Sequence, residues 1–397
     1  MTLRSRLAMQ VMTVFAGIAI PFTSPLHGDE SPYVLIERGT QLLRAGKYGQ
    51  AEYALRAGLA RLDGGSEVEL FTATANLGAT FYYRSRFTEA ESTFRRALEV
   101  WHGLSAASRP DASTVLHNLA MVYLRRGEFD AAERTGMEAL RDREQNDGPN
   151  SSSVAASLSS LAGIYREQGA YGKAEAAARR AVRILSEADR PDGSLLTGSL
   201  EQLAFIRQQQ GDLEEAQALL IRAKQICESK PDSAGAQLAE VYAAIGALRI
   251  RQHRYEDAKP SLERAIEIWR QSELSKSPQM AGALNNLAQA HKFTRNYRLA
   301  DAFYREAIAI ARDTLGERHP SYGLFLGNFA DLLRQEGRVQ AAARTYEKAI
   351  AILLARGGPD YPELAEFRKQ LSLTRSVPAP ESAWTIDVRQ LRVSTHR

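Results

Sequence analysis

The chain has 397 residues, of which 44% are hydrophobic and 25% charged; this is the balance of an ordinary folded protein and excludes a collagen-like, a wholly disordered or a multi-span membrane chain. Its 51 basic and 47 acidic residues leave a net charge of only +4, so the charge gives no support to a nucleic-acid partner. Cys227 is the single cysteine, which excludes an intrachain disulfide, a CxxC redox pair and a cysteine zinc site.

The first expected element is a signal peptide over residues 1–28. Arg4 and Arg6 precede a mostly apolar run from Leu7 to Ile20, and Pro21 and a short polar segment follow. That is the order of a secretory signal, and the run is too short for a bilayer core that needs about 20 residues. The expected location is therefore secreted or periplasmic, with no integral membrane span after cleavage; the alternative is a chain anchored by an uncleaved N-terminal segment.

From about residue 32 the sequence repeats. The anchors Glu37, Asn76, Asn118, Ser160, Gln202, Ala244, Asn286 and Asn328 are separated by 39 residues once and by 42 residues thereafter. Two places after each anchor stand only Gly39, Gly78, Ala120, Ala162, Ala204, Gly246, Ala288 and Ala330, as a close crossing of two helices requires. Fourteen places after it stand Ala51, Ala90, Ala132, Ala174, Ala216, Ala258, Ala300 and Ala342; twenty-one after it stand Gly58 and then seven alanines from Ala97 to Ala349. These two columns are two helical turns apart and mark one face of a second helix. Between the helices, nine places after the anchor, stand Gly46, Gly127, Gly169, Gly211 and Gly337, with Ser85, His253 and Arg295 in the other repeats. Glycine suits a left-handed residue that closes the first helix. A bulky residue follows two places later (Tyr48, Phe87, Phe129, Tyr171, Leu213, Tyr255, Tyr297 and Val339), expected to staple the turn to the core.

This pattern resembles the tetratricopeptide repeat, and the 42-residue period, with segments such as LGERHPSYGLFLGNFADLLRQEG, is similar to the kinesin-light-chain variety. The family's proline near the end of its second helix is missing, so that helix is expected to run on by a turn or more. The resemblance implies an all-α fold: a right-handed superhelical α-solenoid of about eight helix-turn-helix repeats over residues 32–376, closed by a capping helix over 361–374. The tail, 377–397, alternates Trp384, Ile386 and Val388 with polar residues; it is either disordered or a strand that docks on a partner or on this chain.

No enzyme, metal or cofactor is expected. The sequence has no H-E-x-x-H, phosphate loop, dinucleotide fingerprint or G-x-S-x-G elbow. Its histidines (His27, His102, His117, His253, His291, His319 and His396) do not fall in metal-ligand spacing. His291 reads as a packed core residue, His319 before Pro320 as a loop or capping residue, and Cys227 as a half-buried structural thiol. The carboxylates read as scattered over solvated helix faces. Asn150-Ser151-Ser152 matches a glycosylation sequon, which has meaning only in a eukaryote.

The resemblance implies a groove lined by the first helix of each repeat, holding a partner's peptide or helix. Asn76, Asn118, Asn286 and Asn328 in the anchor column either bind such a peptide's backbone or hydrogen-bond a neighbouring helix, since one amide serves both. Six or seven places after the anchor stand Arg44, Arg125, Arg166, Arg251, Lys292 and Arg334. They either complement the helix dipole or chelate an acidic or carboxylate-ended segment. The expected function is an exported scaffold that binds a protein or peptide partner in this groove, with an intracellular adaptor or regulatory sensor as the alternative.

Overall fold

The structure, a computed structural model, describes residues 30–62, 64, 66–105, 107–189, 192–229, 235–272, 274, 276–357 and 362–376. The expected signal peptide (1–28), His27, the tail strand around Trp384 and His396 lie outside the described residues. Every regular element among those described is a helix, and none is long and apolar enough to cross a membrane.

The helices fall into two compact units that meet in sequence at Asp212 and Leu213, in the turn of the fifth repeat. The first contains α1 (Pro32–Arg44), α2 (Tyr48–Arg61), α3 (Glu67–Tyr83), α4 (Phe87–Gly103), α5 (Ser113–Arg126), α6 (Phe129–Asp147), α7 (Ser152–Glu167), α8 (Tyr171–Glu187) and α9 (Gly193–Gln209). The second contains α10 (Leu213–Glu228), α11 (Gly235–Arg251), α12 (Tyr255–Arg270), α13 (Pro278–Phe293), α14 (Tyr297–Leu315), α15 (Pro320–Gln335), α16 (Val339–Gly357) and the cap α17 (Pro362–Ser376). Odd-numbered helices up to α15 are the first, or A, helices of the repeats; even-numbered ones are the second, or B, helices. Within each unit a B helix packs against the next A helix, and successive A helices also touch.

Local chemistry sets the helix ends. Pro32, Pro278 and Pro320 stand in the first turn of α1, α13 and α15, where a missing N–H costs nothing. Ser31, Ser151, Asp192 and Ser277 cap α1, α7, α9 and α13 by accepting backbone N–H bonds. His319 does the same for α15, its Nδ1 accepting from Ser321 N at 3.1 Å.

The A-to-B turn is the same in all eight repeats. Gly46, Gly127, Gly169, Gly211 and Gly337 have φ between 70° and 88°, and Ser85, His253 and Arg295 take the same left-handed form at 57–62°. The next residue's N–H then reaches the carbonyl five places back, as from Lys47 to Leu42 at 2.9 Å and Asn296 to His291 at 2.8 Å. This bond closes the carbonyl end of each A helix.

The alanine columns explain the packing. All eight alanines from Ala51 to Ala342 are 0% exposed, which lets A and B backbones approach closely. Where the A helix carries glycine, the B helix answers with bulk: a Cβ on Gly39, Gly78 or Gly246 would lie 2.6, 2.7 and 2.4 Å from Leu55, Phe94 and Leu262. Elsewhere the bulk comes from a neighbour, as Leu161 of α7 fills the space over Gly136 of α6. The stapling residues are all half-buried, and Tyr297 packs against the core cluster of Ala288, Ala300 and Tyr304. Two of them serve the following repeat: Tyr48 stacks on Tyr83 at 5.0 Å and Tyr255 on Phe293 at 4.3 Å. Cys227, expected half-buried, is buried on α10 at 2% exposure.

Candidate peptide-binding face

The ten residues singled out above all lie on A helices, five in each unit. In the first unit Asn76 of α3 donates to Thr40 Oγ1 of α1 at 2.9 Å, so its amide ties two A helices together. Asn118 of α5 is half-buried and forms no hydrogen bond among the described residues. Ser159 and Ser199 share a hydroxyl bond of 2.8 Å between α7 and α9.

The cations of this unit differ in their company. Arg44 and Arg125 are exposed at the ends of α1 and α5, and neither forms an ion pair among the described residues. Arg166 of α7 instead turns onto its neighbour Glu167 at 2.7 Å, with its guanidinium 5.3 Å from the Phe205 ring. Aromatic surface lies on the same face: Tyr83 is 57% and Phe205 39% exposed.

In the second unit Lys292 and Arg334 share one acid. Lys292 of α13 is 4% exposed and donates to Asp331 of α15; Arg334 donates to the same carboxylate at 3.0 Å. Burial alone would raise the Asp331 carboxyl, but the charges of Lys292 and Arg334 outweigh it and hold the group below the usual carboxylate range. Lys292 is thus an internal counter-ion and not an open groove cation. Asn328 donates to Asn285 at 3.1 Å and Asn285 to Asn286 at 3.4 Å, so both anchor amides meet at a residue that the column pattern did not mark. Arg251 is exposed. His291 is buried and stacked on Phe303 at 5.5 Å, and burial lowers its imidazole pKa. Among the described residues no group of three or more His, Cys, Asp or Glu is arranged to hold a metal.

One set of carboxylates escaped the sequence reading. Fifteen places after the anchor stand Glu52, Glu91, Glu133, Glu175, Gln217, Lys259, Asp301 and Ala343, next to the alanine column. Those carboxylates are not scattered over solvated faces; Glu91 is buried and the others are half-buried, and each receives donors from the following repeat. Glu52 binds Arg84 and Arg86, Glu91 binds Arg126 and Glu133 binds Lys173 at 2.8 Å. Glu175 accepts from Arg207 at 3.3 Å and Gln210 at 2.8 Å, and Asp301 meets Arg338 at 3.4 Å. The ladder is uncharged at Gln217 and Gln252, 3.5 Å apart, and stops at Lys259, which pairs with Glu256 of its own helix. The signal for it is the recurrence of acids at one offset from the anchor.

Short A and B helices joined by a left-handed turn, with small residues at their crossing and a period of 42 residues after a first one of 39, define a tetratricopeptide-repeat solenoid. The family model described as a MalT-like TPR region matches residues 38–243, and one described as a tetratricopeptide repeat matches residues 279–355. The chain belongs to the tetratricopeptide-repeat family. No curated protein matches it in sequence. Among solved structures it is similar to the quorum sensor NprR from B. thuringiensis (15% identity, 81% of this chain and 87% of that one, TM-score 0.64). It is also similar to a Rap protein complexed with competence and sporulation factor (15%, 87% and 97%, 0.55) and to aspartyl phosphate phosphatase F from Bacillus subtilis (15%, 90% and 97%, 0.51). At these identities the likeness shows the shared fold.

Proposed function

We propose that the protein is an exported protein-binding scaffold whose first unit holds an acidic segment of a partner, as an extended peptide or a helix, on the face shared by its A helices. The observation that carries this reading is the pair of exposed guanidiniums of Arg44 and Arg125, which have no ionic partner among the described residues. A planar guanidinium grips a carboxylate through two parallel bonds, and the exposed rings of Tyr83 and Phe205 offer apolar contact beside them. NprR as a quorum sensor, and a Rap protein bound to a competence and sporulation factor, support a binding role for this fold.

The test uses labelled Glu-rich peptides carrying one aromatic residue, titrated into the full chain. Binding is expected to weaken with salt and to fall at least about ten-fold, roughly 1.4 kcal/mol, in Arg44→Glu/Arg125→Glu. Arg183→Glu, exposed on the B helix α8, should leave it unchanged. Equal loss in both variants assigns the binding to net charge and rejects the face. Export is tested separately by a reporter active only outside the cytoplasm, fused after Thr40; an inactive reporter favours the intracellular adaptor.

A further inference from the structure

A cavity of about 300 Å3 lies within the second unit, bounded by α10, α11 and the first part of α12. Its floor is apolar: Leu220 and Leu248 are each 1% exposed and Ile245 is 9% exposed. The volume sits at the lower end of the range of roughly 300–1,000 Å3 that small-molecule sites occupy.

The polar groups around that floor do not balance. Arg249 donates to two uncharged groups, the Asp257 carbonyl at 2.6 Å and Ser261 Oγ at 3.1 Å, and forms no ion pair among the described residues. Lys224 stands 3.5 Å from Glu228, beyond a good hydrogen bond, with its ammonium 5.4 Å from the Tyr242 ring. Glu228 already accepts from Tyr242 Oη at 3.0 Å. Arg254 is satisfied by Asp257 at 2.6 Å. Two cations, Lys224 and Arg249, therefore line the cavity with one committed carboxylate between them. A half-buried guanidinium without a counter-charge is costly, and an anion entering from solvent would supply one. A carboxylate fits the fork of Arg249, while the apolar floor demands a hydrocarbon body and disfavours bare inorganic phosphate.

We propose that this cavity is a binding site for a small organic carboxylate with a short hydrocarbon body, its head group held by Arg249 and Lys224 and its chain lying on Leu220, Ile245 and Leu248. The site is separate from the A-helix face of the first unit and does not depend on the peptide reading.

Octanoate, octylamine and octanol share a chain and differ in head group, so each is titrated calorimetrically into the full chain. Octanoate is expected to bind at least about ten-fold more tightly than octylamine, and more tightly than octanol. Arg249→Gln/Lys224→Gln should lower octanoate affinity at least about ten-fold and leave octanol binding where it was. Because Arg249 also bonds Ser261, a second variant leaves the charges in place: Ile221→Trp, at a 45% exposed position on the cavity wall, should fill the space and block octanoate. Absence of octanoate binding, equal binding of octanoate and octylamine, or octanoate binding that survives both variants overturns the proposal.

Discussion

Arg295 occupies a backbone position that five of its seven counterparts fill with glycine, at φ 62°. A side chain there costs roughly 1–2 kcal/mol, partly offset by the greater chain entropy that glycine loses on folding. Arg295 is exposed and bonds through its backbone only. Arg295→Gly should therefore stabilise the protein by about 1 kcal/mol in urea unfolding, whereas Gly127→Ala at φ 76° should destabilise it by a similar amount. A second residue-scale case concerns acidity. Burial and a shared hydrogen bond with Asp111 push the Asp142 carboxyl up to about 6, and burial with the nearby Arg143 charge pushes the His117 imidazole down to about 4. The two oppose each other. The raised carboxyl stabilises fully below its unfolded pKa of about 3.9 and loses that stability as the pH climbs through 6; the depressed histidine stabilises above about 6.5 and loses that stability as the pH falls through 4. Asp142→Asn removes the first effect, so its thermal midpoint should fall more steeply than wild type from pH 6.5 to 4. A parallel decline in both proteins would show that Asp142 titrates normally.

At the scale of the element, the acid column connects one hairpin to the next. Exposed ion pairs contribute about 0–1 kcal/mol, but Glu52, at 12% side-chain exposure, holds Arg56, Arg84 and Arg86 together. Burial raises its carboxyl, and the hydrogen bonds and charges of these arginines outweigh it, so the group ends below its ordinary pKa. The resulting stability is present above about pH 4.3 and lost as the pH falls through the lower folded value. Glu52→Gln should cost about 1 kcal/mol at neutral pH and low salt, and the difference from wild type should vanish in high salt and at pH 3, as followed by circular dichroism. The A–B turn was legible in sequence because its chemistry is local: five glycines at one offset suffice to announce a left-handed residue, and the three exceptions follow. The acid column was not, because Glu52 and Arg86 are 34 residues apart and either one alone looks like an ordinary solvated charge.

For the whole molecule, a repeat stack draws its stability from nearest-neighbour contacts and needs its last apolar face covered. The cap α17 does so through Phe367, whose ring would lie 2.1 Å from a Cβ on Gly327 of α15 and stands 6.0 Å from Tyr346. Phe367→Ala should cost about 3–5 kcal/mol, while Leu373→Ala, at a 49% exposed position on the same helix, should stay within about 0.5 kcal/mol. Hydrogen exchange would place the damage: amides of α15 and α16 should lose protection and those of α1 to α4 should keep theirs. Uniform loss along the chain would contradict nearest-neighbour stability.

The sequence by itself determined the fold class, the eight hairpins and their turns, and the small residues at each crossing. Each depends on residue types recurring at a fixed offset, and the offset is readable without coordinates. Which inner cations face solvent was decided only by the tertiary structure. Arg44 and Arg125 stand seven places after their anchors and Lys292 six, and the three look alike in sequence. Yet Lys292 is buried on Asp331, 39 residues away, and the two arginines stay exposed. Charge is a property of the residue, but its availability depends on distances between side chains of different repeats, and those exist only once the hairpins are stacked.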